Sequence, residues 1–253
     1  MGAKDIRIEP ISAKDAAKIV RSIHYSGKIV QNSKIHLGVF LGWRCGGVLS
    51  YGSPMDKRRC LGLVAETPWN GMIELNRMAL ADWLPRNAES RALSVAARIL
   101  ATAYPALDWI LTYADCTQCG DGAIYRAAGF WLTAVKRNTT LLRMPDGSVV
   151  ADKTLNNHIA PDGARGSKAA RAAGATPLRG FQLRYIKGLR PGVKERLTVP
   201  ILPYSALDKA GARMYRGEWK TGVGSAAGGT PGIQPGGGGS IPTSTLHPPV
   251  AEA

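Results

Sequence analysis

Cysteine is scarce in this chain: four in 253 residues, too few for a disulfide framework. Cys116 and Cys119 stand at C-x-x-C spacing, but a structural zinc needs a second ligand pair. Cys45 and Cys60 lie too far apart to read as one, so ordinary reduced thiols are expected. No apolar run reaches the roughly 18 residues of a membrane span, and no signal-peptide pattern opens the chain. The expectation is a cytoplasmic protein with no membrane partner. Acidic residues are short as well, 18 against 33 Lys and Arg, a formal charge of +15. The imbalance is regional: residues 1–130 hold 16 basic and 11 acidic side chains, residues 131–220 hold 17 and 6. Such a footprint suits a polyanion, nucleic acid before membrane, because no basic amphipathic helix with a bulky apolar face accompanies it.

What is present is periodic, and 45% hydrophobic residues suffice for a core. Ile6-Arg7-Ile8-Glu9-Pro10-Ile11 alternates as a strand, and Ser12-Ala13-Lys14-Asp15 is a capping box opening a helix with Ala16, Ile19, Val20 and Ile23 on one face. His24 follows Ile23 and turns off the apolar stripe; with Tyr25 it either lines a pocket at the helix exit or sits at the surface. Residues 36–42 and 46–52 read as a hairpin around Trp43-Arg44-Cys45. Residues 54–68, with Lys57-Arg58-Arg59, read as an irregular basic loop, a solvated surface or a phosphate contact. In the strand at 73–80, Glu74, Asn76 and Arg77 break a segment that a central position would make apolar on both faces. Either that strand is exposed on one side, or the three face a ligand cavity. A helix then carries Leu93, Ala96, Ala97 and Leu100 inward, and its free N–H groups with Arg86, Ser90 and Arg91 make an anion site.

The centre of the chain is Trp109-Ile110-Leu111-Thr112-Tyr113-Ala114-Asp115-Cys116, an apolar strand with its first carboxylate at the C-terminal end. Gly120-Asp121-Gly122 turns it, with Asp121 as the expected N-cap, into a short helix that ends at Gly129-Phe130. Strands follow at 131–135, 140–144 and 181–186, separated by a basic stretch, 151–180, that reads as a mobile loop able to order on DNA or RNA. From about residue 221 the chain is rich in Gly, Pro and Ser and nearly uncharged, which reads as a disordered tail.

The strand, turn and helix with Tyr125 before Gly129-Phe130 resemble the C-terminal half of the GNAT acyltransferase fold. The implied fold class is α/β (α+β): a central mixed, mostly antiparallel sheet flanked by helices. The implied organisation is a core over 1–150, a basic extension with late strands over 151–220 and the tail over 221–253. The family's pyrophosphate motif, Q/R-x-x-G-x-G/A, is missing, since no glycine lies between Gly71 and Gly120. That departure speaks against a bound coenzyme A. Taken together, His24-Tyr25-Ser26, Glu74-Leu75-Asn76-Arg77-Met78, Tyr113-Ala114-Asp115 with Gly120-Asp121-Gly122, Tyr125, Gly129-Phe130 and Leu197-Thr198-Val199-Pro200-Ile201-Leu202-Pro203 resemble the phage Mom DNA-modification family.

That resemblance implies a divergent GNAT-like enzyme that converts adenine in duplex DNA to N6-carbamoylmethyladenine, an anti-restriction device. It implies a pocket of His24, Tyr25, Arg77, Asp115 and Tyr125, with Ser90, flanked by Arg86 and Arg91, at the donor site. Substrate contacts are then expected from Glu74, Asn76, Lys57, Arg58, Arg59, Lys168 and Arg171. Double-stranded DNA is the expected partner. The favoured donor is an activated glycine such as glycyl-tRNA, with an acyl-CoA as the alternative; iron has been considered for the family, but no ligand spacing for it can be read here. Two other classes stay open. A conventional GNAT acetyltransferase predicts tight acetyl-CoA binding, and a non-enzymatic basic DNA-binding protein predicts that Asp115 is dispensable.

Overall fold

In a computed structural model the described residues are 1–117, 120–138, 140–156, 166–178, 180–215 and 218–219; the tail expected from residue 221 and Cys119 lie outside them. The strands are β1 (Ile6–Pro10), β2 (Ser33–Leu41), β3 (Arg44–Gly52), β4 (Met72–Leu80), β5 (Trp109–Asp115), β6 (Trp131–Arg137), β7 (Leu141–Arg143), β8 (Val149–Ala151), β9 (Thr176–Pro177) and β10 (Phe181–Gly188). The helices are α1 (Ala13–Ile23), α2 (Lys57–Leu61), α3 (Ala88–Ala103), α4 (Ala123–Ala127), α5 (Asp152–Asn156), α6 (Gly166–Ala172) and α7 (Ser205–Ala210).

A seven-stranded sheet, β1-β2-β3-β4-β5-β10-β6, organises residues 1–221. All neighbours are antiparallel except β4 and β5. α3 buries Ala88, Ala92, Leu93, Ala96, Ala97 and Leu100 on one face of the sheet, in a core with Leu37, Leu49, Ile73, Leu75, Ile110 and Ala114. α1 covers the other face, where Ala16 and Val20 meet Val48 and Ala79. Its start is as the sequence implied: Ser12 Oγ accepts the Asp15 N–H at 3.1 Å.

Three local expectations change. Residues 54–68 are not wholly irregular, because Asp56 Oδ1 accepts the Arg59 N–H at 3.1 Å and caps α2, which buries Cys60. Asp121 is not the N-cap of α4. Gly122 takes that position at φ +72°, while Asp121 Oδ1 accepts the Ala123 N–H at 3.2 Å one residue earlier. In the stretch expected as a mobile loop, the described part of 140–178 folds as a small sheet, β8-β7-β9, with α5 and α6 around Leu142, Ala170 and Ala175. The late strand β10 then returns between β5 and β6, so the main sheet needs residues on both sides of position 150.

The polar trio in β4 has a physical cause. Tyr51 faces Leu75 and Ser50 faces Arg77, so Asn76 is an extra residue, a β-bulge. Before it, Ile73 and Leu75 point to the α3 core; after it, Met78 and Leu80 do. The slip puts Glu74 and Arg77, three apart in sequence, on one face.

Candidate active site

The parallel pairing of β4 with β5 lasts only three residue pairs, Met72 with Trp109, Ile73 with Ile110 and Glu74 with Leu111. Beyond Glu74 the strands part, β5 staying with β10 and β4 with β3. The gap is a cavity of about 590 Å³, lined by residues 75–80 of β4, 113–115 of β5, the end of α1, and residues 120–125. Ligand sites typically span about 300–1,000 Å³, room here for a nucleobase and a second small group.

His24, Tyr25, Arg77, Asp115 and Tyr125 all line it. His24 caps the end of α1, and its Nδ1 accepts the Ser26 N–H at 3.1 Å, which leaves the ring proton on Nε2. Burial first, and the Arg77 charge second, push its pKa down to about 4, so the ring is neutral. Tyr25 stacks on it with ring centroids 4.3 Å apart and is more than half exposed. Arg77 Nε donates to the Lys28 carbonyl at 2.9 Å and Nη1 to the Asn76 carbonyl at 3.0 Å, which fixes the guanidinium between the bulge and the loop after α1.

On the opposite wall, Asp115 ends β5, and its Oδ1 accepts the Thr117 N–H at 2.9 Å. Tyr125 sits on the first turn of α4, buried, edge-on to Phe130 and tilted against Tyr185 at 5.3 Å. Fully buried Tyr51 lies near enough that Tyr125 adds to its raised pKa, behind the dominant effect of burial.

Other expected residues are placed differently. Asn76 reaches the cavity, but its Oδ1 accepts the Ser33 hydroxyl at 3.0 Å and so serves the bulge. Glu74 stands at the last paired position, off the cavity lining; burial pushes its pKa up to about 7, with Arg77 acting the other way. Ser90, Arg86 and Arg91 are not on the lining, though Glu89 between them is. Ser90 Oγ turns back to the Asn87 carbonyl at 3.3 Å, and Arg91 Nε is buried without a partner among the described residues. Lys57, Arg58 and Arg59 lie on α2, Lys57 stacked 4.7 Å over Trp69, and Lys168 and Arg171 lie on α6, Arg171 paired with Asp152 at 3.5 Å. Neither group touches the cavity.

Asp82 and Glu89 also line the cavity without a sequence signal that marks them, as do Met78 and Tyr113, which the family motifs include without a role. Burial raises the Tyr113 pKa; Cys60 and Glu74 on the same side reinforce this. Among the described residues no three His, Cys, Asp or Glu side chains gather as a metal set. The described residues therefore do not fit a resident iron.

A mostly antiparallel α/β sheet flanked by helices thus opens at its one parallel pair, with ionisable and phenolic groups in the opening. A family model described as the Mom protein family matches residues 5–206. A relative named methylcarbamoylase mom, from Escherichia phage Mu, is 36% identical over 202 residues, 79% of this chain and 82% of that protein. The chain belongs to the Mom protein family. Similar solved structures include a Bacillus subtilis acetyltransferase in complex with CoA, 13% identical over 73% of this chain and 99% of its own, with a TM-score of 0.41. Another is the ribosomal-protein-S18-alanine N-acetyltransferase of Escherichia coli, 11% identical over 73% of this chain and 94% of its own, also at 0.41.

Proposed function

We propose that this chain is a DNA-modifying transferase that converts adenine in duplex DNA to N6-carbamoylmethyladenine by acyl transfer to the N6 amine of a flipped base. The observation that carries the reading is the gathering of His24, Tyr25, Arg77, Asp115 and Tyr125 around one cavity in a member of the Mom family. The relative's name, methylcarbamoylase, supports transfer of a group of the same atomic composition.

The exocyclic amine is a poor nucleophile held in a base pair, so the base must leave the stack, at a cost of a few kcal/mol. In this reading Tyr25 and His24 stack on and orient the extruded purine. Asp115 accepts the proton that N6 loses as it attacks. Arg77, already held by two backbone carbonyls, donates to the oxygen that gains charge. Tyr125 returns a proton to the departing carrier. Basic side chains off the cavity, Lys57, Arg58, Arg59, Lys168 and Arg171, hold the phosphates of the duplex.

The product limits the donor. An acetyl group lacks the amide nitrogen of a carbamoylmethyl. A glycyl group on N6 brings an amine that attacks C6 through a five-membered ring. Breaking the original C6–N6 bond then leaves C6–NH–CH2–CO–NH2, an isomerisation that consumes no further reactant. The donor is accordingly an activated glycine; a tRNA carrier accords with the large positive charge, and a coenzyme A thioester is the other carrier. The parting strands β4 and β5 offer unpaired backbone groups to an extended carrier arm.

Expression in bacteria followed by nucleoside mass spectrometry tests the activity; its absence from the DNA ends the proposal. Feeding 15N-glycine tests the donor, with label expected on the nitrogen attached to C6. Unlabelled modified adenine rules the glycyl route out. Purified protein with glycyl-tRNA or glycyl-CoA separates the two carriers.

A further inference from the structure

The two elements that carry Asp115 and Tyr125 are gripped from behind by a segment much further along the chain, residues 204–213. Tyr204, just before α7, donates its hydroxyl to Asp121 Oδ2. Its ring stacks on Arg126 of α4, 3.7 Å from the guanidinium carbon, and on Arg213, 4.9 Å away, which itself pairs with Asp208 at 3.0 Å. From the sheet, the Tyr185 hydroxyl donates to the Asp121 carbonyl at 2.7 Å. The Tyr185 ring lies so close to Gly122 that a Cβ there would fall 2.5 Å from it. The same late segment reaches the end of β5, where Cys116 Sγ donates to the Ala212 carbonyl at 2.9 Å, one residue past Asp115. Leu207 and Ala212 are fully buried in the core that also holds Ala114 and Tyr125.

α4 has reason to need this support. It is five residues long, far below the length at which a helix holds itself, and its N-cap is a glycine with no capping side chain. Its position is therefore set by whatever grips residues 121–126. Besides the packing of Tyr125 and Ile124 into the core, the grips include Tyr204 on Asp121 and Arg126, and Tyr185 beneath Gly122. A phenylalanine at 204 would fill the same volume, so packing alone gives no reason for the hydroxyl.

We propose that Tyr204 is a positioning residue: by clamping Asp121 and α4 from outside the cavity, it fixes how far the Tyr125 hydroxyl stands from the Asp115 carboxylate. The inference rests on the reading that these two groups act on the same transfer, Asp115 at the amine and Tyr125 at the departing carrier. A misplacement of about 1 Å at a reacting centre costs on the order of a hundredfold in rate, so the loss of one clamp is expected to show in turnover and not in binding.

The test is Tyr204→Phe, which keeps the ring, its stacking on both arginines and its volume, and loses the hydroxyl's bonds to Asp121 and to Arg213, of which only the first reaches the cavity wall. On duplex DNA, kcat is expected to fall by about ten- to a hundredfold with KM and melting temperature unchanged. Amide hydrogen exchange at residues 122–125 is expected to accelerate. Asp121→Ala, which also gives up its bond to the Ala123 N–H, should lose at least as much, and adding Tyr204→Phe to it should cost little further, because the bond between the two residues is already gone. The inference is overturned by an unchanged kcat, by a loss confined to KM, by a loss that follows the folded fraction, or by additive effects in the double variant. Should the wild-type protein leave adenine unmodified, the functional reading fails instead. The clamp is then judged on exchange alone: unaltered protection at 122–125 in Tyr204→Phe overturns it too.

Discussion

The two walls of the cavity are built by different means. The wall of α1 and β4 is fastened locally: Arg77 is tied to the carbonyls of its own neighbour and of Lys28, and His24 to Ser26, two residues on. The wall of β5 and α4 is fastened at long range, by β10 and by the segment around α7. The first wall presents a cation and a neutral imidazole, the second a carboxylate and a phenol. A site that must polarise one partner and deprotonate the other gains from setting these pairs on separate supports, since each can be adjusted without moving the other.

Replacing the β5-wall acceptor tests that division hardest. Asp115→Asn keeps an oxygen for the Thr117 N–H but loses the proton acceptor, and modification of adenine should fall by about 10²–10⁴-fold at an unchanged melting temperature. Nucleoside mass spectrometry measures it; a variant with near-normal product places the acceptor elsewhere. On the other wall, Arg77→Ala should cost on the order of a hundredfold. Arg77→Lys should recover little, because an ammonium cannot reproduce the two-carbonyl anchorage of the guanidinium.

Each wall also carries a glycine at positive φ, and the pair sharpens the contrast. Gly122→Ala meets both the left-handed backbone and the Tyr185 ring, and should cost about 1–3 kcal/mol in urea denaturation. Gly27→Ala, whose nearest neighbour would be 4.0 Å away, should cost only the backbone strain, about 1 kcal/mol. Equal losses would mean that long-range packing adds nothing to the β5 wall.

The pH dependence of stability separates two partly buried groups, His24 on the α1–β4 wall and Glu74 of β4 beside it. His24 titrates near 4 when folded against an ordinary 6.5, so the unfolded chain holds the extra proton. Its contribution is complete above 6.5 and is lost as pH falls toward 4. Glu74, raised from 4.5 to about 7, works in reverse: its contribution is complete below 4.5 and is lost as pH rises through 7. The slopes oppose each other in the wild type. Melting temperatures across this window should fall with pH in His24→Asn and rise with pH in Glu74→Gln; parallel curves would refute the assignment. The smallest effect is expected far from both walls. Lys57→Ala should leave kcat within about twofold and lower the salt slope of duplex binding by about one.

How much of this was readable beforehand follows the same division. The α1 helix, its Ser12 cap and its exit at His24 are local patterns, and the sequence shows them. The β4 trio was legible as an anomaly but not as a bulge, because Asn76 becomes the extra residue only through the register of β3, a pairing no local pattern specifies. The strand, turn and helix that join Asp115 to Tyr125 are local patterns too, but the grouping of the two side chains in one pocket came from the family resemblance. Tyr204 could not be read, since its partners Asp121 and Arg126 lie some 80 residues away and a lone tyrosine before a short helix carries no signal. The basic triplet at 57–59 was legible as charge. Its helix was not, because Asp56 is a cap of the ordinary kind followed by only five residues.

The seven-stranded sheet is, mechanically, two smaller ribbons sewn together by three stitches, Met72 to Trp109, Ile73 to Ile110 and Glu74 to Leu111. Pulled across its strands, the molecule would tear along that seam before any antiparallel ladder gave way, with the apolar face of α3 as the patch that bridges it. Glu74 is the last stitch, and its protonation state changes over the range in which cells live.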